Sequence, residues 1–287
     1  MQLILVSGLS GSGKSVALKV LEDSGYYSVD NLPAALIPEL IGQFRSVEDK
    51  IAISVDARSA ATIESLPGIL ENLRAGDIDC RVIFLEANVE SLARRFSETR
   101  RPHPLAARIN GLTACIEEER HVLAGIAELG HRIDTSEVGP NVLRGWIKDL
   151  LNIDRTRLTL CFQSFGFKHG IPIDADFVYD VRFLPNPFYD PRLRLLTGND
   201  AEVVAFMQND LNVAHLIDDI ASFLLRWLPL FARDHRSALS VAIGCTGGQH
   251  RSVYIANELA QRFGSQQQVL VRHRELQPAE TSHAERA

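Results

Sequence analysis

The sequence predicts an α/β protein built from two parallel-sheet domains, and three observations carry that prediction. Short apolar runs alternate with helix-length amphipathic patterns along the first half, the spacing of a parallel sheet covered by helices on both faces. One strand in each half runs into a glycine-rich turn that opens a helix. The chain of 287 residues exceeds one small module, at about 100–200 residues per domain.

In the first half, strands are expected at Leu3–Ser7, Tyr27–Val29, Ile51–Val55, Arg81–Glu86 and His131–Asp134, with helices near 14–24, 35–44, 61–75, 89–99, 114–129 and 139–151. Sheets of this kind bind ligands at the carboxyl ends of their strands, so the polar residues just after each strand matter most. The segment Leu150–Arg157 mixes charges without periodicity and marks the expected boundary between domains 1–152 and 153–276. The second half opens with an alternating run, Arg157–Phe167, then a turn at Lys168–Pro172 and a strand over Phe177–Phe183. An apolar stripe predicts a helix over 201–231, followed by a strand (Leu239–Gly244), a glycine-rich turn, a helix (Ser252–Phe263) and a last strand (Val269–His273). Residues 277–287 are polar and aperiodic, as expected of a disordered tail.

Composition excludes several classes. Apolar residues make up 46% and charged residues 23%, which rules out a disordered or collagenous chain. No apolar run reaches 18 residues, so no membrane span and no membrane partner is expected. Met1–Val6 carries no basic leader, and Cys80, Cys115, Cys161 and Cys245 lie far apart without a CxxC pair. These features predict reduced thiols in a cytoplasmic protein, with neither a disulfide framework nor a zinc site. The formal charge is −6, with −5 on residues 1–150 and −1 on 151–287; neither half is basic, so composition alone does not predict a nucleic-acid binder. Only five of the 30 cations are Lys. Arg suits phosphate, although an Arg-rich genome accounts for the bias equally well.

The first turn, Gly8-Leu9-Ser10-Gly11-Ser12-Gly13-Lys14-Ser15, fits G-x-x-x-x-G-K-[ST] at every fixed position, after a strand and before a helix. Glycines let the backbone approach phosphates, and amides at the helix N-terminus form an anion nest. Lys14 is expected to reach the β- and γ-phosphates of a nucleoside triphosphate and Ser15 to ligate Mg²⁺. Asp56, at the end of a neighbouring strand, is placed where a carboxylate holds that Mg²⁺ through water, or else caps the next helix, an end that Thr62 could serve better. Arg58 meets phosphate or a surface carboxylate, and Asp30-Asn31 either holds a substrate or metal or forms a turn before Pro33. The stretch Arg94–Pro104 carries Arg94, Arg95, Arg100 and Arg101 on a helix running into a Pro-broken loop, which reads as a lid over transferring phosphates or as a solvated face. No base for an acceptor hydroxyl presents itself.

The second turn, Cys245-Thr246-Gly247-Gly248-Gln249-His250-Arg251-Ser252, has the C-x5-R-S spacing of cysteine-dependent phosphatases. The pattern alone is weak, and the catalytic reading needs a general acid for which Asp180 is only a guess. A binding reading asks for less: backbone amides with His250 and Arg251 hold a phosphoryl group. The bland reading is a tight turn around a buried Cys. Asp180, Arg182 and His273-Arg274, at other strand ends, are candidate members of the same pocket.

These two turns, together with Val29–Pro33, Arg100–Pro104, Phe165–Pro172, Asp180–Pro187 and Gly244–Ser252, closely resemble the bacterial RapZ family of RNase adapters, also known as YvcJ-like nucleotide-binding proteins. The resemblance reaches to about His273-Arg274. It implies a kinase-like P-loop domain with ATPase and GTPase activity, ATP on Gly8–Ser15 and GTP on Asp56-Ala57-Arg58-Ser59. It also implies a second domain that binds glucosamine-6-phosphate and small regulatory RNA and presents the RNA to RNase E, and a homo-oligomer is expected. RNA-binding members carry a basic C-terminus, whereas Leu276–Ala287 here has one Arg and two Glu, which argues against strong RNA binding. The leading expectation is a regulatory NTPase using ATP or GTP with Mg²⁺. The alternatives are a small-molecule kinase, an RNA-binding adaptor with vestigial hydrolysis, and a phosphatase at Cys245.

Overall fold

The computed structural model describes residues 1–45, 47–59, 63–152, 158–233 and 238–276. The chain forms two compact units, one centred on Met1–Leu151 and joined by Pro172–Asp174, the other on Asn152–Ile171, Ala175–Phe231 and the chain from Leu239. The boundary expected over Leu150–Arg157 falls largely on residues outside the described set, as does the tail expected after 276.

In the first unit β1 (Gln2–Gly8), β2 (Tyr27–Val29), β3 (Lys50–Ser54), β4 (Asp79–Glu86) and β5 (His131–Asp134) form a sheet of order β2-β3-β1-β4-β5. The pairs β1–β3, β1–β4, β2–β3 and β4–β5 are all parallel. Leu3-Ile4-Leu5-Val6 is apolar without alternation because β1 is the middle strand and buries both faces. Leu3, Leu5, Ile51, Ile53, Val82 and Phe84 share one core with Ile37 and Ile41 of α2 (Ile37–Phe44), Leu66 and Leu70 of α3 (Leu66–Ala75), and Ile116, Leu123 and Ile126 of α5 (Leu112–Ala127). Ile4, Val6, Ala52, Ile83 and Leu85 are buried as well. Strand alternation sends them to the opposite face. There α1 (Lys14–Asp23) lies against β1 and β3 and packs on α6 (Pro140–Leu151). The α/β class with helices on both faces of a parallel sheet is thus the one expected. The strand order turns back at β1, so the crevice of the sheet opens where the glycine-rich turn leaves it.

Helix α4 (Val89–Thr99) starts because the Asn88 side chain accepts the Ser91 amide hydrogen at 2.8 Å, and it ends where Arg100 turns left-handed at φ 52°. Those two signals fix the segment that carries Arg94, Arg95, Arg100 and Arg101.

The second unit holds β6 (Thr159–Gly166), β7 (Phe177–Asp180), β8 (Ala238–Cys245) and β9 (Gln268–His273) in the order β7-β8-β6-β9, with β6 parallel to β9 and β7 parallel to β8. Its core joins Leu160, Phe162, Val241 and Ile243 to Ile255, Leu259 and Phe263 of α9 (Arg251–Phe263) and to Val213, Ile217, Ile220 and Leu224 of a long amphipathic helix. Here the structure corrects two expectations. The helix expected over 201–231 is two helices, α7 (Ala201–Gln208) and α8 (Leu211–Arg233). The Asp210 carboxylate accepts the Asn212 amide hydrogen at 2.8 Å and starts a new helix rather than continuing the old one. The strand expected over Phe177–Phe183 stops at Asp180, whose carboxylate accepts the Arg182 amide hydrogen at 2.9 Å and turns the chain, leaving Phe183 71% exposed.

Phe162 is fully buried, with its ring centre 5.8 Å from that of Phe263. Phe162→Ala is expected to destabilise the second unit by about 3–5 kcal/mol and Phe162→Leu by much less. Urea unfolding followed by tryptophan fluorescence checks this, and an unshifted transition for Phe162→Ala would contradict the core assignment.

Candidate functional site

The turn after β1 is shaped by backbone conformations that side chains resist. Gly8, Gly11 and Gly13 take φ of 140°, 84° and 108°. A Cβ on Gly8 would stand 2.0 Å from the carbonyl oxygen of Leu85, the same oxygen that accepts the Leu9 amide hydrogen at 3.0 Å. The loop is thereby bound to β4 before it turns into α1. Gly13 precedes α1 with no side-chain cap, so the first amides of that helix are left for a ligand. Ser15 is exposed on its first turn. The Lys14 ammonium donates to the carbonyl oxygens of Gly8 and Leu9 at 2.6 and 3.1 Å, closing the loop around its own cation. Burial lowers the Lys14 pKa, while the negative charges of Glu119 and Asp56 partly offset that effect.

Glu119 was not among the residues expected here. It is fully buried on α5 and accepts the Ser10 amide and hydroxyl hydrogens at 2.8 and 2.7 Å, with His103 Nε2 at 3.1 Å. Burial alone would raise its pKa, but hydrogen bonds from His103 and Ser10 and the charge of Lys14 hold it below the ordinary value. Its signal in the sequence is a charge on an apolar stripe: Cys115, Glu119, Leu123 and Ile126 all face inward on α5.

The arginine segment divides by role. Arg95 is half-buried and braces the loop, donating to Gly11 O at 3.0 Å and to both the hydroxyl and the carbonyl oxygen of Thr135. The Thr135 hydroxyl in turn donates to Ser12 O at 2.9 Å. Arg94 pairs with Glu137 at 2.9 Å. Arg100 and Arg101 are exposed beyond the helix.

Asp56 is buried two residues after β3, and Ala57–Ser59 is a single 3-10 turn. The Asp56 carboxylate accepts the Arg58 amide, Nε and Nη2 hydrogens at 3.0, 2.9 and 2.6 Å. The Asn31 amide faces the same two oxygens at 2.8 and 3.1 Å. Ser54 links this cluster to β2, accepting the Asn31 amide hydrogen at 2.7 Å and donating to Asp30. Asp56 therefore stands beside the loop with its oxygens already engaged. Thr62 lies outside the described residues.

The second turn brings Cys245, Gly248, Arg251 and Ser252 together. The Gly248 amide donates to Cys245 Sγ at 3.2 Å, and the Ser252 hydroxyl lies 3.1 Å from the same sulfur. The Arg251 side chain is buried, with Nη1 donating to Arg182 O and Leu184 O at 2.7 and 3.1 Å and Nη2 to the Thr246 hydroxyl at 3.3 Å. Its Nε is buried without a hydrogen-bond partner. Thr246 is exposed, and the space over Gly247 is open. His250 differs from expectation: its Nε2 lies 3.2 Å from Leu193 O, which fixes the ring within the fold. Asp180 is bound by Arg182, which donates to it at 2.7–3.0 Å; this hydrogen bonding holds the carboxyl below the usual range. An acid so held is ionised at neutral pH and has no proton to lend. Arg182 itself stacks over Phe167 at 4.1 Å. His273 bonds Ser164 and Asn257 at 2.9 and 3.2 Å, and burial lowers its pKa to about 4. Glu275, not expected here, fills the space over Gly248, where a Cβ would stand 2.3 Å from its Oε2. Burial raises its pKa to about 7.

A parallel sheet whose middle strand enters an uncapped glycine loop, with a lysine folded into that loop, defines a P-loop protein. The sequence matches the RapZ-like N-terminal domain over residues 1–155 and the RapZ C-terminal domain over 158–277, and the chain belongs to the RapZ family. It is 58% identical over 276 residues to a protein named nucleotide-binding protein from Aromatoleum aromaticum, covering 96% of this chain and 94% of that one. It is 57% identical over 277 residues to a like-named protein from Thiobacillus denitrificans, covering 96% and 100%. Among solved structures it is similar to shikimate kinase from Bacteroides thetaiotaomicron, with TM-score 0.38 and 13% identity over 53% of this chain and 98% of that one.

The lowered Glu119 pKa has a definite sign. A carboxyl held below its ordinary value of 4.5 contributes stability that is complete above that value and is lost as pH falls through the folded value. Glu119→Gln is expected to cost about 1.5–3 kcal/mol at pH 7 through lost charged hydrogen bonds, with the gap to wild type closing as pH falls below 4.5 and through the folded value. Parallel urea titrations at several pH values check this; a gap independent of pH would contradict it.

Proposed function

We propose that the chain is a regulatory NTPase: its first domain binds and slowly hydrolyses ATP or GTP with Mg²⁺, and its second binds a phosphorylated metabolite. The observation that carries the reading is the loop Gly8–Ser15, an uncapped helix N-terminus at the carboxyl end of the middle strand with Lys14 folded into it. The names of the relatives point the same way. When phosphates enter, Lys14 exchanges two carbonyl oxygens for phosphate oxygens, and the α1 amides take the negative charge. The residues present fit a Mg²⁺ ion if the Asp56–Arg58 pair opens: the exposed Ser15 hydroxyl would ligate it, and Asp56, once released by Arg58, would reach it through water. In this reading the ion screens charge on the phosphates. Guanine-nucleotide recognition at Asp56-Ala57-Arg58-Ser59 requires Arg58 to leave Asp56, so GTP use implies that this pair opens. The domain limits proposed are 1–152 and 153–276. Glucosamine-6-phosphate is the proposed ligand of the second turn, through the loop amides and Arg251. An RNA role with RNase E would draw on the smaller patch Arg251, Arg262, Arg272 and Arg274, since the tail is not basic; of these Arg262 is exposed and the other three are buried.

A specific observation favours a second reading, small-molecule kinase. Asp30 is exposed at the carboxyl end of β2 and, through Ser54, beside the Asp56 cluster, so it offers a carboxylate that an acceptor hydroxyl could meet.

Lys14→Ala is expected to lower NTP hydrolysis at least about 100-fold in protein that remains folded. Phosphate release from ATP and GTP measures it, and unchanged turnover would end the NTPase assignment. Label from γ-³²P ATP should appear only as free phosphate; transfer to a component of a metabolite extract would establish the kinase instead.

A further inference from the structure

The second turn holds more than a binding loop requires, since amides and a cation alone would bind a phosphoryl group. Here the loop closes on a sulfur: Cys245 Sγ lies at the base of the turn, facing the Gly248 amide at 3.2 Å and the Ser252 hydroxyl at 3.1 Å, just before α9 begins. A thiolate is the reactive form of cysteine, and the sulfur here meets an N–H donor in the turn and a hydroxyl on the first turn of α9. The guanidinium of Arg251 is pinned at Nη1 by two carbonyl oxygens and at Nη2 by Thr246, while its buried Nε has no partner. An orphaned buried donor in a fixed guanidinium marks the place of an acceptor that the protein itself does not supply. Gly166 and Gly248 let β6 and the loop meet at backbone distance, for a Cβ on Gly166 would stand 2.8 Å from Gly247 C. The carboxyl of Glu275 packs over Gly248 at that junction.

We propose that this turn is a phosphomonoesterase centre in which Cys245 is the nucleophile, Arg251 holds the phosphoryl group, Ser252 assists the thiolate as leaving group, and Glu275 carries the proton. The proposal rests on the reading that this loop binds a phosphoryl group and adds a reaction to it. In the first step the thiolate attacks phosphorus; the P–S bond forms and the P–O ester bond breaks, its electron pair leaving with the alkoxide oxygen. The Glu275 carboxyl gives that oxygen its proton, and the alcohol departs. In the second step water attacks phosphorus and gives a proton to the Glu275 carboxylate. The P–S bond breaks with its electrons returning to sulfur, where the Ser252 hydroxyl donates to the developing thiolate. Ester and water become alcohol and inorganic phosphate, with no oxidant or metal consumed. Asp180 is not the acid, because Arg182 keeps it ionised. Glu275 is protonated across the acid-to-neutral range, as burial raises its pKa to about 7.

The test uses the full chain in a Lys14→Ala background, which removes hydrolysis at the first loop. Hydrolysis of p-nitrophenyl phosphate and glycerol 3-phosphate is measured alongside orthovanadate binding by calorimetry. The expected result is turnover of both esters, lost in Cys245→Ser while vanadate still binds and the thermal midpoint holds. Glu275→Gln should slow glycerol 3-phosphate about 100-fold and p-nitrophenyl phosphate far less, because only the poor leaving group needs a proton. It should also flatten the fall in rate as pH rises through about 7. Ser252→Ala should accumulate phosphocysteine at Cys245, seen by mass spectrometry of rapidly quenched protein. Vanadate binding with no hydrolysis and no phosphocysteine would overturn the proposal and leave the phosphate-binding reading standing. Absence of vanadate binding as well would overturn both.

Discussion

A fully buried carboxylate organises the first unit. Glu119 would be costly in an apolar interior unless every lone pair were met. It is met by a backbone amide and a hydroxyl of Ser10, by His103, and by the field of Lys14. Each of these partners is constrained in turn. Ser10 reaches Glu119 only because Gly8 lets the chain pass against Leu85 O, and the chain continues only because Gly11 and Gly13 tolerate positive φ. His103 accepts the Leu105 amide hydrogen on Nδ1, which leaves Nε2 as the nitrogen that donates to Glu119. One interaction thereby ties the phosphate loop, helix α5 and the loop after Arg101 into a single electrostatic unit.

Lys14 stands on the other side of the same balance. Its ammonium has lost water to burial, and Glu119 and Asp56 partly replace what water supplied. The cation is thus held ready near the helix N-terminus by carbonyl oxygens that a phosphate can outcompete. Arg95 and Thr135 support the rim of the loop from the end of β5, at Gly11 O and Ser12 O. The loop is pre-shaped from β4, α4, α5 and β5 together, which is why its backbone can leave amides uncapped without collapsing onto itself.

The strands, the loop and the order of elements were legible because they are local. Apolar runs with both faces buried mark β1 and β4, and the spacing Gly8–Ser15 states its own geometry. What failed to show were partners distant in sequence. Glu119 lies 109 residues from Ser10, and its sign, a charge on an inward stripe, is easily read as part of the acidic run Glu117-Glu118-Glu119. Arg95 reads from sequence as a lid arginine or as part of a solvated face, because sequence gives the charge but not the carbonyl oxygens that engage it. Short-range competition by aspartates also hid itself: Asp210 split a continuous apolar stripe into two helices, and Asp180 ended a strand whose alternation ran on to Phe183. In both places a carboxylate captured an amide two residues ahead, a bond that hydrophobic periodicity does not register.

The two glycine loops each carry a glutamate against them, and the contrast between the two shows how surroundings decide what one residue type does. Both carboxyls are buried, so desolvation pushes both toward the neutral form. At Glu119 a backbone amide, a hydroxyl, an imidazole and a nearby ammonium together outweigh desolvation, and the group stays an anion fixed in the fold. At Glu275 the two oxygens lie buried without a well-formed hydrogen bond, and the nearby Gly166 amide, Arg274 and Lys168 offset only part of the cost. A carboxyl left so poised exchanges its proton near neutral pH, whereas one as well met as Glu119 does not. The donors around each glutamate, and not the net charge of its domain, therefore separate an acid that shapes a loop from an acid able to take part in chemistry beside one.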